Sequence, residues 1–324
     1  MSQIDQTNWF RRLAVTALGL TMITLIFGAL TTSKNAGMAF RDWPTSDGHM
    51  MITYPWLSDF AKDWDKFLEH GHRLAGMVIG IWSIILVVFA FMTKQRRTLK
   101  VLSVCVLLGV IFQGLLGGFR VQLDERGLAM VHGAFAALVF SVMGALIVLS
   151  GKQWETPEAE TERTTMTIMK VLSVLLLSIL VIQYLFGGMI RHQGSGLHEH
   201  LALGFVSLGM IFVNFTFCSF SNVSWLRKSG LLLLLIGIGQ VGLGLGTWVL
   251  KFGFTPTGYV PISDSIQQVT LRTAHTVWGI VTFQAAFVHL LKVYRVGTVS
   301  KFSDSKPITV RNSKQVFAVE GGQE

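Results

Sequence analysis

The stretch Glu69-His70-Gly71-His72-Arg73 stands at the start of a long apolar run, and the rest of the chain can be read outward from it. Ionisable residues at the mouth of a membrane helix are costly unless they bind or react, so a carboxylate near an imidazole suggests a site. Glu69 and His72 are three residues apart, which on a helix places the carboxylate within reach of a ligand held by His72. The alternative is an interfacial ion pair of Glu69 with Arg73, with the histidines only marking the water boundary.

Composition places the chain among integral membrane proteins. Of its 324 residues, 51% are hydrophobic and 14% are charged, with a mean hydropathy of +0.54, whereas a soluble protein needs more polar surface. Apolar runs of about twenty residues, enough to span ~30 Å of hydrocarbon as a helix, recur about eight times. The first run is predicted to be retained because no small-residue cleavage site follows it. The predicted spans are 13–31, 70–92, 99–118, 128–149, 169–190, 197–219, 229–250 and 270–292.

The distribution of Lys and Arg predicts the orientation of the chain in the lipid bilayer. With the N-terminus in the cytoplasm, 17 of the 27 basic residues fall on the inner side. The protein is therefore predicted to lie in the cell (inner) membrane. Both of its termini, including a tail over 293–324, are predicted to be cytoplasmic. Because this distribution accounts for the net charge of +9, the charge gives no reason to expect nucleic acid as a partner.

The two cysteines, Cys105 and Cys218, both fall inside predicted spans. Neither has a neighbour at ligand spacing in the sequence. Both are therefore predicted to be small core residues, with no disulfide and no metal role.

A repeated sequence marks the ends of three odd-numbered spans. In each copy a glutamine precedes a glycine by four residues, which is about one helical turn. Small residues at this spacing let helices approach closely, or let a flat ligand lie against the backbone. Helix packing is enough to explain the glycines, but the recurring glutamine is harder to explain in that way. The copies are Gln113–Gly118, Gln183–Gly188 and Gln240–Gly246.

Histidines recur in the first turns of the even-numbered spans, at His72, His132, His200 and His275. One histidine on an apolar helix is usually a satisfied polar residue, but four at equivalent depth call for another explanation. Two imidazoles on facing helices can hold a heme from both sides. A zinc site fits less well, because no cysteine or close histidine pair completes a tetrahedral set.

The whole pattern predicts two copies of a four-helix unit, over 13–150 and 169–292, joined by an acidic linker at 155–162. Each unit supplies one histidine pair, His72 with His132 and His200 with His275. In the sixth span His198 competes with His200, since the two lie on opposite helix faces. His200 is taken as the ligand because a glycine follows it by four residues, as one follows His72.

Two arginines follow the repeated glycines by two or three residues. Arg120 and Arg191 are placed to pair with carboxylates, such as heme propionates, at the membrane edge. Solvation in the outer loops is the alternative for both.

This combination of residues resembles the heme A synthase family of membrane enzymes. The likeness covers nearly all of residues 13–292, and the Glu-x-x-His-Arg element together with three further histidines is its most specific part. The residues that carry it are Asp42-Trp43-Pro44, Glu69-x-x-His72-Arg73, Gly117-Gly118, His132, Gly187-Gly188-Met189-Ile190-Arg191-His192, His200 and His275.

The resemblance implies an all-α membrane protein whose eight transmembrane helices form two pseudo-symmetric four-helix bundles. It implies that His72 and His132 bind the substrate, heme O, and that His200 and His275 ligate the iron of a heme b. It also implies that Glu69 is catalytic. The implied reaction oxidises the C8 methyl group of heme O to the formyl group of heme A, with water as the oxygen source. Heme O synthase and a quinone or other electron acceptor are the partners expected with it.

The first outer loop departs from the family pattern. Many relatives carry a cysteine pair there, but residues 36–48 contain none, so a loop disulfide cannot take part in this protein's mechanism. Tryptophan and tyrosine in this loop suit either an anchor at the lipid headgroups or a lid over a cavity.

Two other classes of function compete with the enzyme. A diheme b-type protein that passes electrons from quinol to a partner would use the same four histidines, but it has no evident use for Glu69. A transporter built on repeats would place charges near the bilayer midplane, whereas the predicted spans keep their charges at the ends.

Overall fold

The computed structural model describes residues 3–158 and 162–304, and within them the chain is helical without a β-strand. Eight of the helices are long and apolar enough to cross a membrane, which confirms the predicted all-α membrane fold. In chain order the helices are α1 Gln3–Ser33, α2 Trp56–Lys62, α3 Trp64–Met92, α4 Arg97–Leu123, α5 Arg126–Leu149, α6 Lys152–Glu155, α7 Arg163–Gln193, α8 Leu197–Phe220, α9 Ser224–Phe252 and α10 Ile266–Asp304. The spanning ones are all except α2 and α6.

The spanning helices extend beyond the apolar runs that predict them. Helix α3 begins six residues before the predicted span, because the Asp63 carboxylate accepts a hydrogen bond from the Lys66 N–H and caps the first turn. Helix α7 continues to Gln193 and ends at Gly194, whose φ of 72° is a left-handed conformation that suits glycine. Gly196, with a φ of 84°, precedes α8. The α7–α8 connection is therefore only three residues long.

Helix contacts follow two rings of four. In the first ring, α1 and α4 each contact α3 and α5; in the second, α7 and α9 each contact α8 and α10. The rings meet where α5 contacts α7 and α10, and where α1 contacts α10. This arrangement is consistent with two pseudo-symmetric units, and their bounds at 13–150 and 169–292 stay a prediction. Within the predicted linker and tail, residues 159–161 and 305–324 lie outside the described residues.

Polar side chains join the two rings inside the membrane. The Gln284 side-chain amide donates to the Phe140 carbonyl at 2.9 Å, and the Tyr184 hydroxyl donates to the Gly133 carbonyl at 2.9 Å. Gly144 makes room for the first contact, since a Cβ there would lie 2.8 Å from the Gln284 amide nitrogen. Because no water competes in hydrocarbon, these bonds satisfy polar groups that would otherwise be costly to bury.

The loop between α1 and α2 lies against the first residues of α3 and the last residues of α4. The Trp43 ring packs on Gly118, where a Cβ would overlap the indole. Arg120 donates a hydrogen bond to the Gly37 carbonyl. At the end of the loop, Trp56 begins α2, and its indole N–H donates to the Phe67 carbonyl of α3 at 2.8 Å. The loop therefore forms a cap that is fastened to the helix ends of the first ring.

Candidate functional site

The four histidines meet in two pairs of nearly equal geometry. The ring centroids of His72 and His132 lie 6.2 Å apart, and those of His200 and His275 lie 6.1 Å apart. Two imidazoles bound at about 2 Å on opposite sides of one metal ion would have their centroids about 6 Å apart. The structure thus brings together the same pairs that the sequence pattern predicts, at a spacing at which the two imidazoles of each pair could hold one heme iron. Their role as ligands stays a prediction.

Each imidazole lies against a glycine of the preceding spanning helix. A Cβ on any of these glycines would lie 2.7 to 3.1 Å from the ring carbon Cε1 of its histidine, closer than side chains normally pack. The glycines therefore let the rings sit next to a neighbouring backbone. The glycine and histidine partners are Gly28 with His72, Gly117 with His132, Gly187 with His200, and Gly244 with His275.

Backbone carbonyls one turn before these glycines orient the rings. The Nδ1 atoms of His72 and His200 lie 3.0 and 3.2 Å from the carbonyl oxygens of Thr24 and Gln183. The Nδ1 atoms of His132 and His275 face the carbonyls of Gln113 and Gln240 but fall short of hydrogen-bond geometry. A carbonyl only accepts, so Nδ1 of His72 and of His200 carries the proton and Nε2 keeps the lone pair that binds a metal.

The recurring glutamines hold the histidine helices in place. The side-chain amides of Gln113 and Gln183 donate to the backbone carbonyls of His132 and His200 at 2.8 and 2.9 Å. Gln183 therefore binds His200 twice, through its side chain and through its own carbonyl.

Glycines four residues after two of the histidines make room for these glutamines. A Cβ on Gly204 would lie 3.3 Å from the Gln183 amide nitrogen, and one on Gly279 would lie 3.0 Å from that of Gln240. The glycine four residues after the histidine thus leaves the space that the glutamine side chain of the neighbouring helix occupies.

His198 and Arg191 lie apart from the histidine pairs. His198 is exposed, whereas His200, two residues later and on the opposite face of α8, is half-buried and faces His275. The Arg191 guanidinium donates to the Thr276 hydroxyl at 2.6 Å, the Ala29 carbonyl at 2.8 Å and the Ser33 hydroxyl at 3.1 Å. Arg191 therefore ties α7 to α10 and α1, which is a structural role that sequence reasoning did not predict.

Glu69 is buried, with 4% of its surface exposed. Its Oε1 lies 2.7 Å from Arg73 Nη2, so the ion pair considered as the alternative is present. Its Oε2 accepts hydrogen bonds from the backbone N–H groups of Ala39 at 2.8 Å and Phe40 at 3.3 Å. The carboxylate is thus held by three donors, one turn before His72, beneath the cap formed by the first loop.

Arg73 and Asp42 stiffen that cap. Arg73 Nη1 donates to the carbonyls of Asp42 and Thr45 at 2.9 and 2.7 Å. Partial burial alone would raise the pKa of the Asp42 carboxyl, but hydrogen bonds from Gly48 N–H, the Thr45 side chain and Asp47 N–H outweigh it and lower the pKa to about 2. Asp42 is therefore ionised at any physiological pH, and the turn that it holds stays formed.

His70 is a cap residue that sequence reasoning missed. Its Nε2 lies 3.1 Å from the Met51 carbonyl, so Nε2 donates, and its Nδ1, 3.0 Å from the Ser46 hydroxyl, accepts. The Tyr54 ring lies 4.6 Å from the imidazole. Burial and the hydrogen bond to Asp59 raise the pKa of Tyr54, which keeps its hydroxyl protonated as a donor. His70 is therefore a loop anchor on the face opposite His72.

A family model described as cytochrome oxidase assembly protein, COX15-CtaA, matches residues 59–304, which is well over half of the chain. The chain belongs to the COX15-CtaA family. The match runs from α2 to α10 and so contains Glu69 and all four paired histidines. It confirms the family resemblance predicted from the sequence.

Several curated relatives of this COX15-CtaA member carry the name heme A synthase. That of Alkalihalophilus pseudofirmus is 28% identical over 139 residues, covering 42% of this chain and 44% of the relative. That of Flavobacterium psychrophilum is 26% identical over 225 residues, covering 57% of this chain and 62% of the relative. That of Symbiobacterium thermophilum is 24% identical over 195 residues, covering 58% of this chain and 60% of the relative. The alignments thus span less than two thirds of these relatives, and no solved structure matches the chain significantly.

Proposed function

We propose that this protein is a heme A synthase, which oxidises the C8 methyl group of heme O to the formyl group of heme A in the cell membrane, with both termini cytoplasmic. One asymmetry carries the proposal. The two histidine pairs have almost the same geometry, but only the first has a buried carboxylate one turn away, Glu69 before His72. The position three residues before His200 is Leu197. One site is therefore equipped for chemistry and the other for holding a cofactor.

In this proposal His200 and His275 hold a resident heme b, and His72 and His132 hold heme O as substrate. The donor sets fit, because each pair offers two imidazoles, and in one imidazole of each pair a carbonyl holds the protonated Nδ1 and leaves Nε2 for iron. Glycine supplies the space beside each ring. When bound, heme b supplies one-electron redox chemistry.

Glu69 is proposed to accept the proton of the attacking water. An ionised carboxylate has about four acceptor positions, and Arg73, Ala39 and Phe40 use three of them. One position remains for a water molecule. Because the other donors fix the carboxylate, it is oriented before the substrate arrives. The same negative charge would stabilise positive charge that develops on the reacting carbon.

The overall conversion balances with water as the oxygen source. A methyl group and one water yield a formyl group, four protons and four electrons. The electrons must leave to an acceptor, and a quinone is the class that a membrane offers. Heme O synthase is the proposed source of the substrate.

The proposed substrate also has a suitable place for its prenyl side chain. An apolar groove of about 290 Å³ opens between α5 and α7, next to the turn that carries His132. Hydrocarbon walls suit a farnesyl chain, which heme O carries and heme b lacks. The groove is lined by Met130, Val131, Ala134, Phe135, Leu138 and Leu185.

The near-equality of the two pairs favours one second candidate, a diheme b-type electron carrier between quinol and a partner. That protein would need no carboxylate beside His72 and no lateral groove. The two functions differ in the pigment that the purified protein contains, which the last experiment of the Discussion measures.

We expect Gln183→Leu to weaken the binding of heme b by about tenfold or more, the typical effect of losing a residue that supports a metal-binding histidine. The variant removes the bond to the His200 carbonyl but leaves the imidazole. The measurement is the heme b content of purified protein, with the reduction potential of the remaining heme as a second readout. Ser178→Ala, on an exposed face of the same helix, is the control and should bind heme as the wild type does. Equal heme content and potential in Gln183→Leu would show that the Gln183 side chain does not position His200.

A further inference from the structure

A second group of metal-binding side chains lies at the opposite end of the second ring. Met169 on α7, Cys218 on α8 and His289 on α10 are all fully buried, each with 0% of its surface exposed. Cys218 lies eighteen residues after His200 on the same helix, which is roughly 27 Å at 1.5 Å per residue. This group is therefore separate from both histidine pairs, and the proposed reaction makes no use of it.

The Cys218 sulfur lies from each of the other two donor atoms at about the distance that a shared metal ion imposes. Cys218 Sγ lies 3.7 Å from Met169 Sδ and 3.7 Å from His289 Nε2. A tetrahedral ion with bonds of about 2.3 Å to sulfur and about 2.0 Å to nitrogen holds two sulfurs about 3.8 Å apart, and a sulfur and a nitrogen about 3.5 Å apart. Cys218 is thus placed to share an ion with Met169 and with His289, and both observed distances are within about 0.2 Å of the tetrahedral values.

The surroundings orient the donors toward one another. The Ser229 hydroxyl on α9 lies 3.0 Å from His289 Nδ1, which leaves Nε2 directed at Cys218. A hydrogen bond to the second ring nitrogen is what metal-binding histidines usually have. Gly230 lets α9 come close, since a Cβ there would lie 2.8 Å from the Cβ of Cys218. All four helices of the second ring therefore build the group.

The chemistry of the donors points to a soft, monovalent ion. A thiolate, a thioether and an imidazole together suit Cu(I), whereas Zn(II) rarely binds a thioether. The Lys292 ammonium also lies 3.4 Å from the Ser229 hydroxyl. Because repulsion grows with the charge of the bound ion, this ammonium disfavours a divalent ion more than a monovalent one. We propose that Met169, Cys218 and His289 form a Cu(I)-binding site.

This proposal departs from the prediction that Cys218 is only a small core residue. The sequence spacing that led to that prediction shows no ligand nearby, because Met169 and His289 lie 49 and 71 residues away along the chain. In a simple core the imidazole Nε2 would have only a thiol as its partner, and a thiol is a weak donor. Binding Cu(I) would give all three groups a strong partner in hydrocarbon.

Competition for Cu(I) tests the site. Full-length protein, purified with its bound heme, is titrated anaerobically with Cu(I) in ascorbate against the chelator bicinchoninate. We expect wild type to hold one Cu(I) per chain that Cys218→Ser and His289→Gln hold at least tenfold more weakly. The matched control is Cys105→Ser, which removes the other, exposed cysteine and should bind as wild type does. The heme histidines are present in every variant, so copper bound there does not affect the comparison.

A third variant and a spectroscopic measurement test the assignment of the Cu(I) ligands independently of Cys218→Ser. Met169→Leu conserves side-chain volume and should also weaken binding, so the test remains valid if Cys218→Ser fails to fold. X-ray absorption at the copper edge should show sulfur and nitrogen neighbours in wild type. Equal retention of Cu(I) by wild type, Cys218→Ser and Met169→Leu, or a copper spectrum without sulfur, would overturn the proposal. A preference for Zn(II) over Cu(I) would overturn the choice of metal.

Discussion

We expect Glu69→Gln to lower the formation of heme A by roughly 100-fold or more, the range in which a positioned general base contributes to rate. Glutamine keeps the size and one acceptor oxygen of glutamate but cannot take up a proton from water. Heme O, or a hydroxylated product of it, should accumulate. The measurement is the ratio of heme A to heme O extracted from cells that express the variant, together with the heme b content of the purified protein, which should not change.

The buried ion pair makes a second variant necessary. Glu69→Gln also leaves the Arg73 guanidinium without its carboxylate, and breaking a buried pair typically costs about 3–5 kcal/mol of stability. Arg73→Gln breaks the same pair but retains the carboxylate, so it should lose stability and still form measurable heme A. Glu199→Gln changes an exposed carboxylate beside His200 and should behave as wild type. Glu69 is not the catalytic base if Glu69→Gln still makes heme A. The same conclusion follows if Glu69→Gln and Arg73→Gln lose heme A formation to the same extent.

We expect His200→Ala or His275→Ala to remove the low-spin spectrum of heme b from the purified protein. Each change would delete one of the two imidazoles proposed to hold heme b, and alanine offers no replacement donor. His72→Ala and His132→Ala should leave that spectrum in place and instead abolish the conversion of heme O. The measurement is the reduced-minus-oxidised absorption spectrum of each purified variant, quantified per polypeptide.

His198→Ala is the control for this series, because His198 is exposed and lies on the opposite face of α8. It should retain the full heme b spectrum. A spectrum that disappears in His198→Ala and persists in His200→Ala would show that the wrong histidine had been assigned. Equal losses in all four paired histidines would show that the two sites are not specialised as proposed.

The spanning helices and the histidine pairs were predictable because both depend on local patterns. Apolar length determines a spanning helix in lipid, and a histidine near the start of alternate apolar runs can be recognised without knowledge of the loops. The repeat was nevertheless only partly visible. Helix α1 carries the same arrangement, with the Thr24 carbonyl and Gly28 placed against His72, but threonine stands where the other copies have glutamine. The feature that all four copies share is a backbone carbonyl. It does not depend on the identity of the side chain, so it cannot be recognised from the sequence.

Residues whose partners are distant in the chain could not be predicted in the same way. His70 is one residue from Glu69, and its function depends on Ser46 and Met51 in a loop without regular structure. The two backbone donors to Glu69 come from the same loop. The neighbours of Cys218 come from two other helices. In each case the tertiary fold supplies the contact, and sequence periodicity carries no information about it.

The hemes extracted from the purified protein test the central claim most directly. The protein is expressed in cells that also make heme O, purified, and extracted for chromatography and mass spectrometry, with each heme counted per chain. We predict one heme b per chain together with heme O or heme A in the same preparation. Two equivalents of heme b, with neither heme O nor heme A, would contradict the proposed enzyme and favour the diheme electron carrier.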